Sequence, residues 1–372
     1  MKNFCYRIGK YIAKADKILW LCGLLLSGLS VVLMFSICKN DGFVSSGDKL
    51  FYTQLIAVII GIAAAVWISL IDHKRITSRW KILALVGIVL MLLTFTPLGS
   101  GREGADDKAW LSVFGLFDFQ PSEIVKIIFV FTFALHLSKV KSSINKFATL
   151  ILVVLHGMVP IGLVIAQGDF GSALVFVAIF LFMLFSAGIS WKYIASGAVS
   201  STVILPLIYF FLLDTHHRER IIIAFNPDIA PQGMGYQQVQ GKIALGSGQM
   251  YGRGLFSDKL IRTIPEVYND FIFSYIGQTL GFIGCVAVIL VISVLCFRIL
   301  SIAVKATDDV RKLVAMGIFA MFLVQSVLNI GMVLCVAPVI GVTLPFLSSG
   351  GSSMIVSFIA LGIISKSKKD YS

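Results

Sequence analysis

Glu266 and Asp270 stand four residues apart in the run IPEVYNDFIF (264–273), where a polar stretch gives way to an apolar one. On a helix the two carboxylates would lie one turn apart, a spacing that suits a metal or an acid/base pair. Pro265 makes a break in that run equally compatible with the sequence. Asp270 ranks above Glu266 because it sits where hydrocarbon-compatible sequence resumes, and a charge kept at that depth is costly without a function. Glu123 and Lys126, in QPSEIVK, are three apart on one helical face. They are either an ion pair at a helix start or a charged pair lining a polar cavity. Asp169, in AQGDFGSA, immediately precedes a helix, so capping that helix's amides is the stronger account of it. Arg218 and Arg220, in HHRERIIIAFNP (216–227), have the fork that grips a phosphate bidentately, against the default of a solvated basic face.

These groups must be positioned by membrane-spanning helices. Apolar residues make up 58% of 372 and charged residues 13%, with a mean hydropathy of +0.93, values that exclude a soluble domain and indicate an all-α polytopic membrane protein. Windows of about 20 apolar residues mark ten spans: 18–38, 51–71, 81–97, 122–140, 147–166, 171–188, 192–213, 270–298, 313–336 and 350–365. The chain reads as one integral membrane domain, 1–372, with a large insert, 214–270, between spans seven and eight. No small-residue cleavage site follows the first span, which is expected to be a start-transfer anchor.

Charge gives the orientation. With both termini cytoplasmic, the inner side carries 20 Lys and Arg against 11 outside, and 5 acids against 14. The net charge of +12 is therefore a positive-inside pattern rather than a nucleic-acid footprint. The large insert is expected outside the cytoplasmic membrane. The basic turn 71–81 reads as an orientation signal on anionic headgroups, and 39–49 as a plain connector. Cys5, Cys22, Cys38, Cys285, Cys296 and Cys335 have no paired spacing and read as packing residues rather than a disulfide frame or zinc site.

Three outer segments carry the remaining information. In 100–126, Trp110, Leu111, Phe114 and Phe117 read as an interfacial aromatic anchor ahead of Pro121 and Ser122, which open span four. The segment 233–254 holds seven glycines but no G-x-x-x-x-G-K-[ST], so it is not a nucleotide loop. QQVQGKIAL within it reads as a re-entrant or interfacial helix. The stretch 337–354 places Pro338, Gly341, Pro345 and four serines at membrane depth, where irregular backbone is tolerated only against protein or a polar cavity. It is expected to form one wall of a site.

Five runs in order, AWLSVFGLFDFQPSEIVK, AQGDFGSA, RERIIIAFNPDIAPQGMGYQQVQGKIALGSGQMYGRG, IPEVYNDFIFSYIGQTLGFIG and NIGMVLCVAPVIGVTLPFLSSGGSS, resemble the shape, elongation, division and sporulation (SEDS) family over essentially the whole chain. QPSEIVK and NDFIF place it nearer the RodA branch than the FtsW branch. The resemblance implies a peptidoglycan glycosyltransferase that polymerises lipid II, the undecaprenyl-pyrophosphate-linked disaccharide-pentapeptide, on the outer face during elongation and shape maintenance. It places the catalytic acid on Asp270, the helix-start pair on Glu123 and Lys126, and the cavity acid on Asp169. Trp110, Gln120, Pro121 and Ser122 match the same runs, and Glu266 is kept as a cavity residue. The implied partners are a class B penicillin-binding protein and other elongation-complex proteins. Where the family often has an acid after NDFIF this chain has Gln278-Thr279, which removes a second carboxylate and leaves Asp270.

Sugar transfer needs a base for the acceptor hydroxyl, and one carboxylate in a water-poor pocket supplies it. Departure of a lipid pyrophosphate needs positive charge, for which Lys126, Arg218, Arg220 or a divalent cation held by Glu123 and Asp169 are the candidates. Oxygen ligands favour Mg²⁺ or Mn²⁺ over zinc. The alternatives are a flippase for the same lipid, which would also show broken helices and a membrane Glu/Lys pair, and a non-catalytic scaffold for a transpeptidase.

Overall fold

A computed structural model describes residues 15–40, 48–71, 73–101, 108–113, 117–212, 215–257, 264 and 266–365. Cys5, Phe114, Asp214 and Pro265 lie outside the described residues, as do the side chains of Phe117, His216, His217 and Arg220.

All ten expected spans are helical. They are α1 (Lys17–Lys39), α2 (Lys49–Ser69), α4 (Trp80–Leu93), α5 (Pro121–Val140), α6 (Phe147–Ala166), α7 (Phe170–Ala187), α8 (Trp191–Leu207), α11 (Ile272–Lys305), α12 (Asp309–Val333) and α13 (Gly351–Ile364). Short helices α3 (His73–Ser78), α9 (Thr215–Phe225) and α10 (Tyr236–Ser247) complete the set. Seven of the described helices are long and apolar enough to cross a membrane. Of the other three expected spans, α4 and α13 are shorter, and α5 carries the Glu123–Lys126 pair.

Local signals set the helix ends. Asp16 accepts a bond from the Leu19 amide at 3.2 Å and Asp308 from the Arg311 amide at 2.9 Å, each satisfying an otherwise orphaned donor. Pro121 opens α5 in its first turn, where its missing N–H costs nothing. Gly188 ends α7 at φ +88°, in the left-handed region a side chain resists. Most spans are apolar all round, so burial selects their faces. α12 is the most enclosed of the long spans and α8 the least. α13 lies along α2, and a Cβ at Gly362 would come within 2.4 Å of the Ala65 carbonyl oxygen. A small residue there lets two backbones touch.

Two features depart from a pure helix bundle. Strands β1 (Gly99–Ser100), β2 (Trp110–Val113) and β3 (Phe117–Phe119) form a small antiparallel sheet, pairing Ser100 with Trp110 and Leu111 with Phe119. The stretch expected to hold an aromatic anchor supplies β2 and β3 here, with the half-buried Trp110 on β2. Second, α11 is interrupted at Gly281 (φ +69°, ψ −168°). The glycine loop after α10 fills the break. Arg253 and Gly254 amides donate to the Gln278 and Thr279 carbonyls at 2.9 and 3.0 Å, and the Phe282 amide donates to the Gln249 carbonyl at 2.8 Å. Backbone groups freed by the break are thus paired with protein, as a membrane interior requires.

Candidate active site

Residues Glu266 to Phe271 form turns rather than helix, so Glu266 and Asp270 do not stack on one face. Glu266 adopts φ +51°. Its carbonyl accepts from the amides of Asn269 and Phe271 at 3.0 and 3.3 Å. Its carboxylate accepts from Asn269 Nδ2 at 2.7 Å. The acid/base or metal pair allowed by spacing is absent, because the tight turn uses Glu266 to close itself.

That turn is fixed from two directions. Asn329, fully buried on α12, donates Nδ2 to the Asp270 carbonyl at 2.9 Å and to the Val342 carbonyl at 2.8 Å. Ser348 Oγ donates to the Asn269 carbonyl at 2.7 Å and accepts from the Leu344 amide at 2.7 Å, while the Ser349 amide donates to the Tyr268 carbonyl at 2.7 Å. The last irregular loop and the Asp270 turn are therefore one hydrogen-bonded unit. Such mutual support holds a carboxylate in one place before substrate arrives.

Asp270 is 4% exposed and lines a small, partly open cleft. Trp110 from β2, Gln120 from the start of α5, Asn269, Thr343, Ser349, Gly350, Ser352 and Ser353 line it with Asp270. The expected wall 337–354 is thus in place. Among the described lining residues Asp270 is the single carboxylate, and no Lys or Arg accompanies it.

The other acids have different work. Asp169 caps α7, with Oδ1 accepting from the Ser172 amide at 2.9 Å and Oδ2 from Gln120 Nε2 at 2.8 Å. The Gln120 amide donates to Ser352 Oγ at 3.3 Å, so Gln120 ties the cap to the cleft wall. Glu123 Oε1 lies 2.6 Å from Lys126 Nζ, both side chains nearly inaccessible, and the pair does not line the cleft. Ser122 is buried, its Oγ 3.5 Å from Ser172 Oγ. For a divalent cation, the donor set does not fit. Glu123 already pairs with the Lys126 ammonium, and both Asp169 oxygens accept N–H donors. No group of three His, Cys, Asp or Glu side chains gathers among the described residues.

Arg218 is also elsewhere. Its Nη2 donates to the Phe210 carbonyl at 2.9 Å and its guanidinium lies 5.9 Å from the Tyr209 ring centroid, so it anchors α9 to the end of the seventh span. Arg220 lies on α9 with its side chain outside the description. The sequence reading missed Asn329, Thr343 and Asn269. Asn329 was findable by the rule that flagged Asp270, since a polar amide deep in an apolar helix needs a reason.

Residues 16–371 match the family model FTSW_RODA_SPOVE, described as cell cycle protein. The chain is 33% identical to the probable peptidoglycan glycosyltransferase FtsW of Trichlorobacter lovleyi, across 95% of this chain and 93% of that one. It is 33% identical to the peptidoglycan glycosyltransferase MrdB of Escherichia coli over 78% of each. Among solved structures, a chain from work titled "Structural coordination of polymerization and crosslinking by a peptidoglycan synthase complex" superposes with a TM-score of 0.81 at 24% identity, covering 94% of this chain and 96% of that one. Thermus thermophilus RodA superposes at 0.69, also at 24% identity, covering 94% and 95%. With nearly its whole length matched, this chain belongs to the FtsW/RodA/SpoVE family.

Proposed function

We propose that the chain is a peptidoglycan glycosyltransferase that polymerises lipid II into glycan strands, with Asp270 as general base. The activity follows the relatives named for it. The observation that carries the residue assignment is Asp270 as the single carboxylate among the described residues of a hydroxyl-lined cleft, its turn held by Asn329, Ser348 and Ser349. In this reading Asp270 takes the proton from the acceptor sugar's 4-hydroxyl as that oxygen bonds to the donor's anomeric carbon. The anomeric carbon–oxygen bond to the lipid diphosphate breaks, its electron pair leaves with the diphosphate, and the anomeric centre inverts. Trp110 and Gln120 line the sugar path. No step is assigned to Mg²⁺ or Mn²⁺.

The protein sits in the cytoplasmic membrane with both termini inside and the cleft facing outward. The positive-inside count supports that orientation. Paired clamps lie at the other end of the bundle: Arg298 on Asp16 at 2.7 Å, Trp20 Nε1 on Ser365 Oγ at 2.9 Å and Lys141 on Asp309 at 2.6 Å. The partner is a class B penicillin-binding protein of the elongation machinery, a reading supported by the shared fold with a chain of a complex that polymerises and crosslinks.

The test is strand synthesis from lipid II by purified protein, with and without a class B penicillin-binding protein. Wild type makes long strands and Asp270→Asn makes none while melting normally. Strands from Asp270→Asn would remove the base. Lipid translocation in vesicles without any polymerisation would make the protein a flippase.

A further inference from the structure

The proposed reaction expels a diphosphate, and among the described residues that line the cleft none is cationic. Lys126 is committed to Glu123, and Arg218 to the end of the seventh span. A different group at the cleft carries positive charge. Helix α13, 14 residues long, begins there, and its N-cap is Gly350, which offers no capping side chain. The Met354 amide returns to the Gly350 carbonyl at 2.9 Å, whereas the first-turn amides of Gly351, Ser352 and Ser353 donate to no acceptor among the described residues. Three aligned N–H groups at a helix start carry about half a positive charge and are a ready anion cradle.

A second observation points the same way. Ser349 is 9% exposed, lines the cleft, and its hydroxyl has no partner among the described residues, its amide alone being bonded, to Tyr268. A Cβ built on Gly351 meets no atom within 4 Å, so there is room in front of the helix start.

We infer that the start of α13, with the Ser349 hydroxyl, binds the diphosphate of the polyprenyl-linked donor and holds it as the leaving group. The inference rests on the glycosyltransferase reading above. It removes the need for a lysine or a metal at the leaving group, since preorganised amides stabilise the charge that builds on the departing oxygen.

The test uses full-length protein in zwitterionic nanodiscs, with undecaprenyl diphosphate and undecaprenyl monophosphate as probes. Wild type and Asp270→Asn are expected to bind the diphosphate more tightly than the monophosphate. Gly351→Glu places a carboxylate in the first turn, which suits the helix but repels the ligand, and should weaken diphosphate binding by about tenfold or more. Ser349→Ala should weaken it by about fivefold, the loss of one hydrogen bond to a charged group. Should Gly351→Glu not fold, Ser349→Ala carries the test. Unchanged diphosphate affinity in the folded variants, or equal affinity for both probes in wild type, would overturn the site. Strand synthesis by Asp270→Asn would overturn the base instead, and leaves these affinities unaffected.

Discussion

Two acidic clusters lie near one another at the same end of the bundle, and they have been built on opposite principles. Around Asp169 and Glu123 each carboxylate is matched by a donor or cation: the Ser172 amide, Gln120 and Lys126. At Asp270 the backbone is pinned, by Asn329 on its own carbonyl and Ser348 on its neighbour's, and the residue lines the cleft. In the first cluster Lys126 neutralises Glu123 within α5, and the Gln120–Asp169 bond ties the start of α5 to the start of α7. The second immobilises the peptide unit of an acid that lines the cleft. Burial alone does not separate them, since Asp270, Glu123 and Asp169 are all under a tenth exposed; of the three, Asp270 is the one that lines the cleft.

The largest expected contrast is therefore chemical. Asp270→Asn should lower strand synthesis by about 10²–10⁴-fold, the range for losing a general base, with the melting temperature held. Asp169→Asn keeps both an acceptor for the Ser172 amide and the helix cap, and should stay within about tenfold of wild type in the same assay. Equal losses in the two variants would erase the distinction between the clusters.

The next effect is on stability. Lys126→Met leaves Glu123 buried without its counter-charge and should destabilise by about 3–5 kcal/mol, whereas Glu123→Gln with Lys126→Met should recover most of that. Thermal melts of the two singles and the double measure the coupling. If the double variant is as unstable as Lys126→Met alone, the pair is not self-contained, and a third group, metal or substrate, shares its charge.

Much of this plan was readable beforehand. Ten spans, the Asp169 cap, the helix at 236–247 and the wall beyond 337 follow from hydropathy, capping residues and glycine placement, all of which act over a few residues. What escaped the sequence reading depends on distant partners. The sheet is three strands of two to four residues whose pairing crosses a loop. The break at Gly281 looks like an ordinary helical glycine until residues 249–254 are docked against it. Glu266 seemed a natural companion for Asp270, yet Asn269 takes its carboxylate and the left-handed turn turns it aside. Lys126 and Arg218 are candidates for the pyrophosphate by charge, and the fold pairs Lys126 with Glu123 and bonds Arg218 to the Phe210 carbonyl.

Asn329 tests the comparison most finely, because it touches the Asp270 turn without lining the cleft. Asn329→Ala removes donors from two buried carbonyls, those of Asp270 and Val342, and should cost about 2 kcal/mol of stability. If the amide merely supports the fold, a stabilising second-site change elsewhere would restore both melting temperature and turnover. A positioning role predicts otherwise. The carboxylate would wander relative to the acceptor hydroxyl, so kcat falls by about tenfold or more while KM for lipid II changes little, and restored stability does not bring the rate back. Asn329→Gln, with the same amide one methylene further out, should misplace the turn as well. Wild-type kcat in either folded variant would show that the Asp270 peptide is held well enough by Ser348 and Ser349 alone.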